Sequence, residues 1–178
     1  GTALGPYKIC TAAQLNDIQT NCNGSAYYFS LGANLDLSAY TGTQFNRINN
    51  FSGNFDGNGY SITNFTYSDA AADDVGLFKA ITGGTVKNLK IFSANITGQN
   101  KVGVLAGSIS GASAVVDNVE VSGTVSGVGN TGGLAGQLSG AVVKNSKALD
   151  IAVVGTTGDA VGGLVGDVAA SATLKTSS

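Results

Sequence analysis

The chain has 178 residues, of which 27 are glycine, 43% are apolar and 11% are charged, and its net charge is −2. This apolar content excludes a disordered chain, and the absence of a glycine triplet period excludes collagen. Because the few basic residues are scattered and the apolar runs are short, we expect no nucleic-acid binding and no membrane insertion. A β-rich domain with many turns remains.

Residues 1–38 are predicted to form an N-terminal cap that contains a helix and a first strand. Thr11 and Gln14 fit the capping-box pattern, in which each side chain bonds the backbone of the other residue. Ala12, Leu15 and Ile18 would then lie on one helical face. Such a helix would cover the open first coil of a solenoid, whose apolar side chains and strand edges are otherwise exposed.

Two cysteines, Cys10 and Cys22, flank this predicted helix. Their even number and closeness predict a local disulfide and an oxidising compartment. The alternative is a pair of free thiols. A fully helical path would hold the two cysteines too far apart, so the disulfide requires the chain to fold back before Cys22.

Residues 39–74 are predicted to form the first divergent coil or coils, with a polar loop insertion that contains Asp69, Asp73 and Asp74. A solvated loop explains these aspartates. The alternative is that they supply part of the oxygen shell of a weak Ca²⁺ site, since calcium requires several oxygen ligands. No other cofactor is expected, because the sequence has no His and only two cysteines.

Aromatic residues are concentrated in the first seventy residues. Core and cap packing explains most of them. The alternative is that Tyr27, Tyr40 and Tyr60 form a surface on which sugar rings stack. The spacing of the tyrosines does not distinguish the two interpretations.

Residues 75–178 contain an internal repeat. The pattern Val-Gly-Leu-Phe at residues 75–78 recurs in related form at 102–105, 131–134 and 161–164. A second pattern, Thr-Val-Lys-Asn-Leu-Lys-Ile at 85–91, recurs at 115–121 and 142–148, with a divergent copy at 61–67. Copies with one internal order favour stacked coils over a β-sandwich. The last copy is incomplete, which predicts that the natural protein continues.

Stacking of the copies places equivalent residues in columns, one strand spacing of about 4.8 Å apart. The predicted apolar columns are Phe78, Leu105, Leu134 and Leu164, and Ile62, Val86, Val116 and Val143. An asparagine ladder is predicted from Asn64, Asn88, Asn118 and Asn145. Charges of alternating sign are predicted along Lys87, Asp117 and Lys144, and along Lys90, Glu120 and Lys147.

At these repeats the chain resembles the bacterial GLUG-repeat proteins. Residues 133–136, Gly-Leu-Ala-Gly, and 163–166, Gly-Leu-Val-Gly, carry the resemblance, and residues 6–15, 31–38 and 51–59 resemble the segments ahead of the family's repeats. The resemblance implies a right-handed parallel β-helix on secreted or surface-attached bacterial proteins, including haemagglutinin-like adhesins and accessory regions of surface proteases. It implies no catalytic residue.

The expected fold is therefore all-β, a right-handed parallel β-helix with a short N-terminal capping helix. The expected function is a non-enzymatic, extracellular module of a bacterial surface protein that serves adhesion or spacing. Its expected partners are a host or prey surface glycan or protein, within a longer chain or fibre. The alternatives are a carbohydrate-active β-helix enzyme, which needs convergent acids, and an ice-binding solenoid, which needs a regular column of threonines.

Overall fold

The computed structural model describes residues 1–21, 24–156, 160–175 and 177–178. The chain forms a parallel β-solenoid of about five turns with a short N-terminal helical segment, as the sequence predicts. Two short helices lie near the N-terminus, α1 (Ala12–Asn16) and α2 (Ile18–Asn21). Among the described residues, no helix is long and apolar enough to cross a membrane.

Short parallel strands make up nearly all of the remaining regular structure. In chain order they are β1 (Tyr7–Ile9), β2 (Tyr28–Leu31), β3 (Leu35–Asp36), β4 (Asn54–Asp56), β5 (Ser61–Thr63), β6 (Thr66–Ser68), β7 (Phe78–Ile81), β8 (Thr85–Thr97), β9 (Ala106–Ser110), β10 (Val115–Gly127), β11 (Thr131–Gly132), β12 (Ala135–Ser139), β13 (Val142–Lys144), β14 (Lys147–Gly155), β15 (Val161–Gly162), β16 (Val165–Val168) and β17 (Thr173–Lys175).

The strands stack into three hydrogen-bonded sheets. The main sheet has the order β1-β2-β4-β8-β10-β13-β17, with β3, β5, β6 and β14 joined to it at the side. A second sheet has the order β7-β9-β12-β16, and β11 pairs with β15 in a third. Strands from residues 7–38 already belong to the main sheet, so the N-terminal region is part of the stack as well as its cap.

The longest strands, β8 and β10, bend at asparagines with positive φ. Asn88 has φ 51° and Asn118 has φ 55°, and Asn145 repeats this conformation at the end of β13. Asparagine enters the left-handed region more readily than most residues, because its short amide bonds locally. The recurring asparagine of the repeat is therefore a corner residue, which the repeat pattern alone did not specify.

The predicted apolar columns are correct in the later coils and wrong at their first members, Ile62 and Phe78. Val116 pairs with both Val86 and Val143, but Phe55, not Ile62, pairs with Val86. Ile62 instead pairs with Ile91. The segment that stacks on Thr85–Lys87 is therefore Asn54–Asp56, and the similar pattern at 61–67 belongs to the next part of the coil.

The column around the Gly-Leu pattern needs a similar correction. Phe78 pairs with Ala106 and not with the predicted partner Leu105, which is the preceding residue. In the following coils the predicted register is correct. Ala135 pairs with Ala106 and with Val165, which places Leu134 level with Leu105 and Leu164. The predicted residues are all in the core nonetheless: Phe78, Leu105 and Leu134 are fully buried, and Leu164 of the last repeat is 9% exposed.

The asparagine ladder is confirmed at one step. The Asn118 amide donates to Asn88 Oδ1 at 3.0 Å. Asn145, which lies level with Asn118, donates instead to Asp117 Oδ1 at 2.8 Å. Asn64 is not part of this column, because its neighbour Thr63 pairs with Phe92, and its amide donates to Asp36 Oδ1 at 2.9 Å. The shift that displaces Ile62 also displaces Asn64.

The charge columns are in the predicted register. Asp117 pairs with Lys87 on one side and with Lys144 on the other, and Glu120 likewise pairs with Lys90 and Lys147. The Lys144 ammonium lies 3.1 Å from the Asp117 carboxylate. The first column extends further than predicted, since Asp56 pairs with Lys87 and their charged groups are 3.3 Å apart.

The N-terminal helical segment begins as the sequence predicts. Both hydrogen bonds of the capping box between Thr11 and Gln14 are present, and Leu15 and Ile18 are buried. The side-chain oxygens of Asn16 and Gln19 accept the backbone N–H groups of Asn46 and Asn49, respectively. The helical segment thus serves as the first layer over the 45–51 segment, which itself precedes β7 in the stack.

The predicted disulfide stays a prediction. Cys10 is exposed and has no disulfide partner among the described residues. Cys22 lies outside the described residues, so the structure does not test the pair.

Candidate ligand-binding site

The N-terminal edge of the solenoid carries a small aromatic cluster. The Tyr27 ring lies 6.4 Å from the Tyr7 ring and 6.3 Å from the Phe29 ring. Phe29 is buried, Tyr27 is half-buried, and Tyr7 is 48% exposed. The cluster therefore runs from the core to solvent, which leaves part of two tyrosine rings available for stacking.

A cavity of about 300 Å³ lies on the same part of the chain, against the outward faces of β2, β4 and the start of β8. Tyr28 contributes aromatic surface to its lining, Asp56 and Lys87 contribute a charged pair, and Ala3 and Pro6 of the N-terminal segment line it as well. A concave site with an aromatic ring and a few polar groups suits a polar ligand such as a sugar.

The Asp56 carboxyl in this cavity is held in its ionised form. Burial raises its pKa, but hydrogen bonds from the Asn58 backbone N–H and the Asn88 amide, together with Lys87, outweigh burial and hold the pKa below its usual value. A glycosidase needs one protonated carboxylic acid as well as a carboxylate. Asp56 is therefore suited to accept hydrogen bonds from a ligand rather than to donate a proton to it.

The other two predicted tyrosines lie on different elements. Tyr40 follows β3, and its ring meets that of Phe45 edge-on at 5.7 Å. Tyr60 immediately precedes β5. Both are half-buried and pack against the core, as Tyr27 does. Among the described residues, no ring contact joins Tyr27, Tyr40 and Tyr60 to one another.

Two of the three predicted loop aspartates accept a backbone hydrogen bond with their side chains. Asp69 Oδ1 accepts the Ala71 N–H at 3.1 Å, and Asp73 Oδ1 accepts the Asn100 N–H at 3.1 Å. Asp74 has φ 51°, and its Oδ1 lies 4.0 Å from the Lys101 ammonium, beyond hydrogen-bond distance. The segment is stacked on the next coil, because the N–H groups of Asp69 and Asp74 donate to carbonyls of β8 and of the turn that follows it.

The described residues contain no group of three or more acidic, Cys or His side chains placed to hold a metal ion. The Ca²⁺ site at the loop aspartates therefore stays a prediction, without support from the geometry. The sugar-stacking tyrosines likewise stay a prediction, with Tyr27 the best placed of the three.

Two features of this region were missed from the sequence. Tyr7 was not predicted to join the aromatic cluster, although its pairing opposite Phe29 follows once β1 and β2 are aligned. Arg47, the one arginine in the chain, is buried beside Tyr67. Its neighbours along the chain, such as Gln44, Asn46 and Asn49, are mostly polar, so no signal in the sequence indicated that Arg47 is buried.

Comparison with known proteins places the chain in a family. The model of the M26 IgA1-specific metallo-endopeptidase N-terminal region matches residues 12–123, more than half of the chain. The chain belongs to this family. The GLUG-repeat assignment stays a prediction beside it.

Two relatives of this M26 N-terminal region are much longer proteins. The chain is 39% identical to Halomucin of Haloquadratum walsbyi over 141 residues. This alignment covers 71% of the chain and 2% of Halomucin. The chain is also 38% identical to a candidate Gly-rich membrane protein of Evansella cellulosilytica over 132 residues. This alignment covers 68% of the chain and 15% of that protein. The chain thus spans a small part of these relatives.

A solved structure supports the fold of this M26 N-terminal region. The crystal structure of a candidate immunoglobulin A1 protease from Bacteroides ovatus superposes with a TM-score of 0.71, over 98% of the chain and 65% of that protein. The two sequences are 20% identical. At this identity the likeness establishes the β-solenoid fold alone.

Proposed function

We propose that the chain is a non-enzymatic, extracellular β-solenoid module of a bacterial surface protein, which presents a ligand-binding surface or spaces neighbouring domains. The observation that supports this most strongly is the parallel stack of coils in a chain whose relatives are far longer proteins. Stacked coils extend in one dimension and form long, rigid surfaces.

The proposed binding surface is the aromatic N-terminal edge. It combines the half-exposed Tyr7, the half-buried Tyr27 and the cavity lined by Tyr28, Asp56 and Lys87. Aromatic rings beside hydrogen-bonding groups suit the alternating apolar and polar faces of a sugar. The proposed ligand is a surface glycan, and a surface protein is the alternative partner.

A glycan array with the purified chain tests this proposal. We expect weak binding that Tyr27→Ala lowers, while Glu120→Gln, on a regular coil face of the main sheet, leaves binding unchanged. Thermal unfolding of both variants checks that the fold is retained. Loss of binding in both variants alike would place the ligand elsewhere, and turnover of a polysaccharide by the purified chain would contradict the non-enzymatic assignment.

The family match supports a second candidate function, an accessory region of a metallo-endopeptidase. The sequence contains no His, whereas catalytic zinc sites are built mainly from His with carboxylate or Cys ligands. Peptidase chemistry would then come from another segment of a longer protein, and this module would position the substrate. The family's name makes immunoglobulin A1 the first substrate to test.

Surface plasmon resonance with immobilised immunoglobulin A1 separates the two candidates. The accessory role predicts saturable binding of the purified chain without cleavage of the immunoglobulin. The glycan-binding role predicts that enzymatic removal of the immunoglobulin's glycans abolishes any such binding. Binding that survives this removal supports the accessory role.

A further inference from the structure

One buried cation in the solenoid has no acidic partner among the described residues. Arg47 is only 7% exposed, and its guanidinium carbon lies 3.9 Å from the centroid of the Tyr67 ring. Its Nη1 donates to the Asp74 carbonyl at 2.7 Å, and its Nη2 donates to the Tyr67 hydroxyl at 3.1 Å.

The ion pairs of the described residues are Lys87–Asp56, Lys101–Asp74 and Lys144–Asp117, and none of them involves Arg47. Neutral oxygens and the face of a ring therefore hold the guanidinium in place without neutralising it. A buried charge is costly unless it is paired, so an uncompensated arginine attracts an anion.

A cavity of about 200 Å³ opens beside this arginine. Gln19, Thr43, Phe45, Asn46, Tyr67 and Lys79 line it together with Arg47. The lining thus carries two cations and several neutral hydrogen-bonding groups but no carboxylate. Its volume is below the roughly 300–1,000 Å³ of common ligand pockets, which favours a small ligand.

We propose that this cavity binds a small carboxylate anion, with Arg47 and Lys79 as its charge partners. The two hydrogen bonds above use one N–H of each terminal nitrogen of Arg47, and a guanidinium carries further N–H groups that match a carboxylate. Lys79 adds a second ammonium donor at the rim, since it is only half-buried on β7.

The polar neighbours fit this ligand class. The Gln19 side-chain oxygen accepts the backbone N–H of Asn49, which orients the Gln19 amide and leaves its nitrogen as a donor. Thr43 and Asn46 supply a hydroxyl and an amide. Donors therefore outnumber dedicated acceptors around the cavity, as an anion requires.

This inference deepens the proposed binding role by naming a ligand class and a site apart from the aromatic edge. Isothermal titration calorimetry in a low-salt, phosphate-free buffer tests it directly. Glucuronate and acetate are the probes, and glucose is the uncharged control. We expect a carboxylate to bind and glucose not to bind.

Binding of glucuronate alone assigns the site to an acidic sugar, and comparable binding of acetate assigns it to the carboxylate group itself; both results support the proposal. We expect Lys79→Gln to weaken carboxylate binding by about tenfold, the loss of one charge-assisted hydrogen bond. Lys147→Gln, an exposed lysine on β14, is the matched control and should leave the affinity unchanged.

Failure of both carboxylates to bind at concentrations well above the millimolar range overturns the proposal, as does equal binding of glucose. An unchanged affinity in Lys79→Gln overturns it too. These results concern only the cavity beside Arg47. Binding at the aromatic edge would still be tested independently by the glycan array. Arg47 itself is left intact in the test, because its removal from the core would also destabilise the fold.

Discussion

At the scale of single residues, corners and side-chain bonds determine how one coil rests on the next. The recurring asparagine occupies a left-handed corner, and in Asn118 it also donates across the coil spacing to Asn88. Aspartates also accept from these asparagines, as Asp117 does from Asn145. The same side chains thus fix both the bend and the register.

Replacement of Asn118 separates these two roles. Asn118→Ala should lower the free energy of unfolding by about 1–2 kcal/mol, because alanine is strained at a φ of 55°. Asn118→Gly should cost less, because glycine adopts this φ freely and loses only the side-chain bond. Urea unfolding measures both. Equal effects of the two variants would show that the conformation of this corner does not matter.

The pH dependence of stability should depend in part on Asp117. The hydrogen bond from the Asn145 amide, together with Lys144 and Lys87, lowers the pKa of the Asp117 carboxyl, and burial opposes this only in part. The pKa is lower in the folded state, so the stabilisation is complete above the ordinary pKa of about 3.9 and disappears as the pH falls through the folded value.

We therefore expect the free energy of unfolding to fall as the pH is lowered from about 5 to about 2, and to fall less in Asp117→Asn. Denaturant midpoints of the two proteins across this interval are the measurement. Parallel pH profiles would exclude a stabilising role for the ionised Asp117.

At the scale of the repeat, glycines set how closely one coil approaches the next. A Cβ added at Gly136 would lie 2.4 Å from the backbone of Lys101 in the preceding coil, and Gly107 has the same relation to Asp74. Neither glycine has a positive φ, so what they supply is space for the neighbouring backbone. The Gly-Leu-apolar-Gly spacing is thus a packing requirement of the stack.

The last repeat provides a matched control for this requirement. Gly136→Ala should destabilise the protein by about 1–3 kcal/mol, the usual cost of forcing an atom into a packed site. Gly163→Ala, at the first glycine of the motif in the last repeat, should have little effect, because its Cβ would have no heavy atom within 4 Å beyond its own chain neighbours. Thermal unfolding compares them. A larger loss of stability in Gly163→Ala would refute the packing explanation.

At the scale of the whole molecule, burial decreases along the solenoid axis. The core columns are fully buried through the middle coils, whereas Val161, Val168 and Leu174 of the last coils are exposed by roughly half. A linear stack has only nearest-neighbour contacts, so its stability is a sum of coil and interface terms. The effect of a core substitution should therefore depend on its coil.

Leucines in one column test this dependence. Leu105→Ala should lower the free energy of unfolding by about 2–5 kcal/mol, since Leu105 is fully buried between coils. Leu164→Ala should cost less and act locally, because Leu164 retains 9% exposure next to the last coil. Hydrogen exchange should show lost protection confined to β15 and β16 in the second variant. Loss of protection throughout the chain would indicate one cooperative unit instead.

The sequence by itself determined the parallel solenoid, the capped N-terminal helix and the charge register, because stacked repeats impose one spacing on every equivalent residue. It did not determine the placement of Ile62 and Asn64, since residues 61–67 have the pattern of 85–91 but stack on 90–96. It also did not determine the placement of Phe78, whose coil is one residue shorter than the next. Nor did it bring Tyr7 to Tyr27, or Arg47 to Tyr67 and Lys79. Those contacts join residues of different coils and walls, whose proximity only the tertiary structure decides.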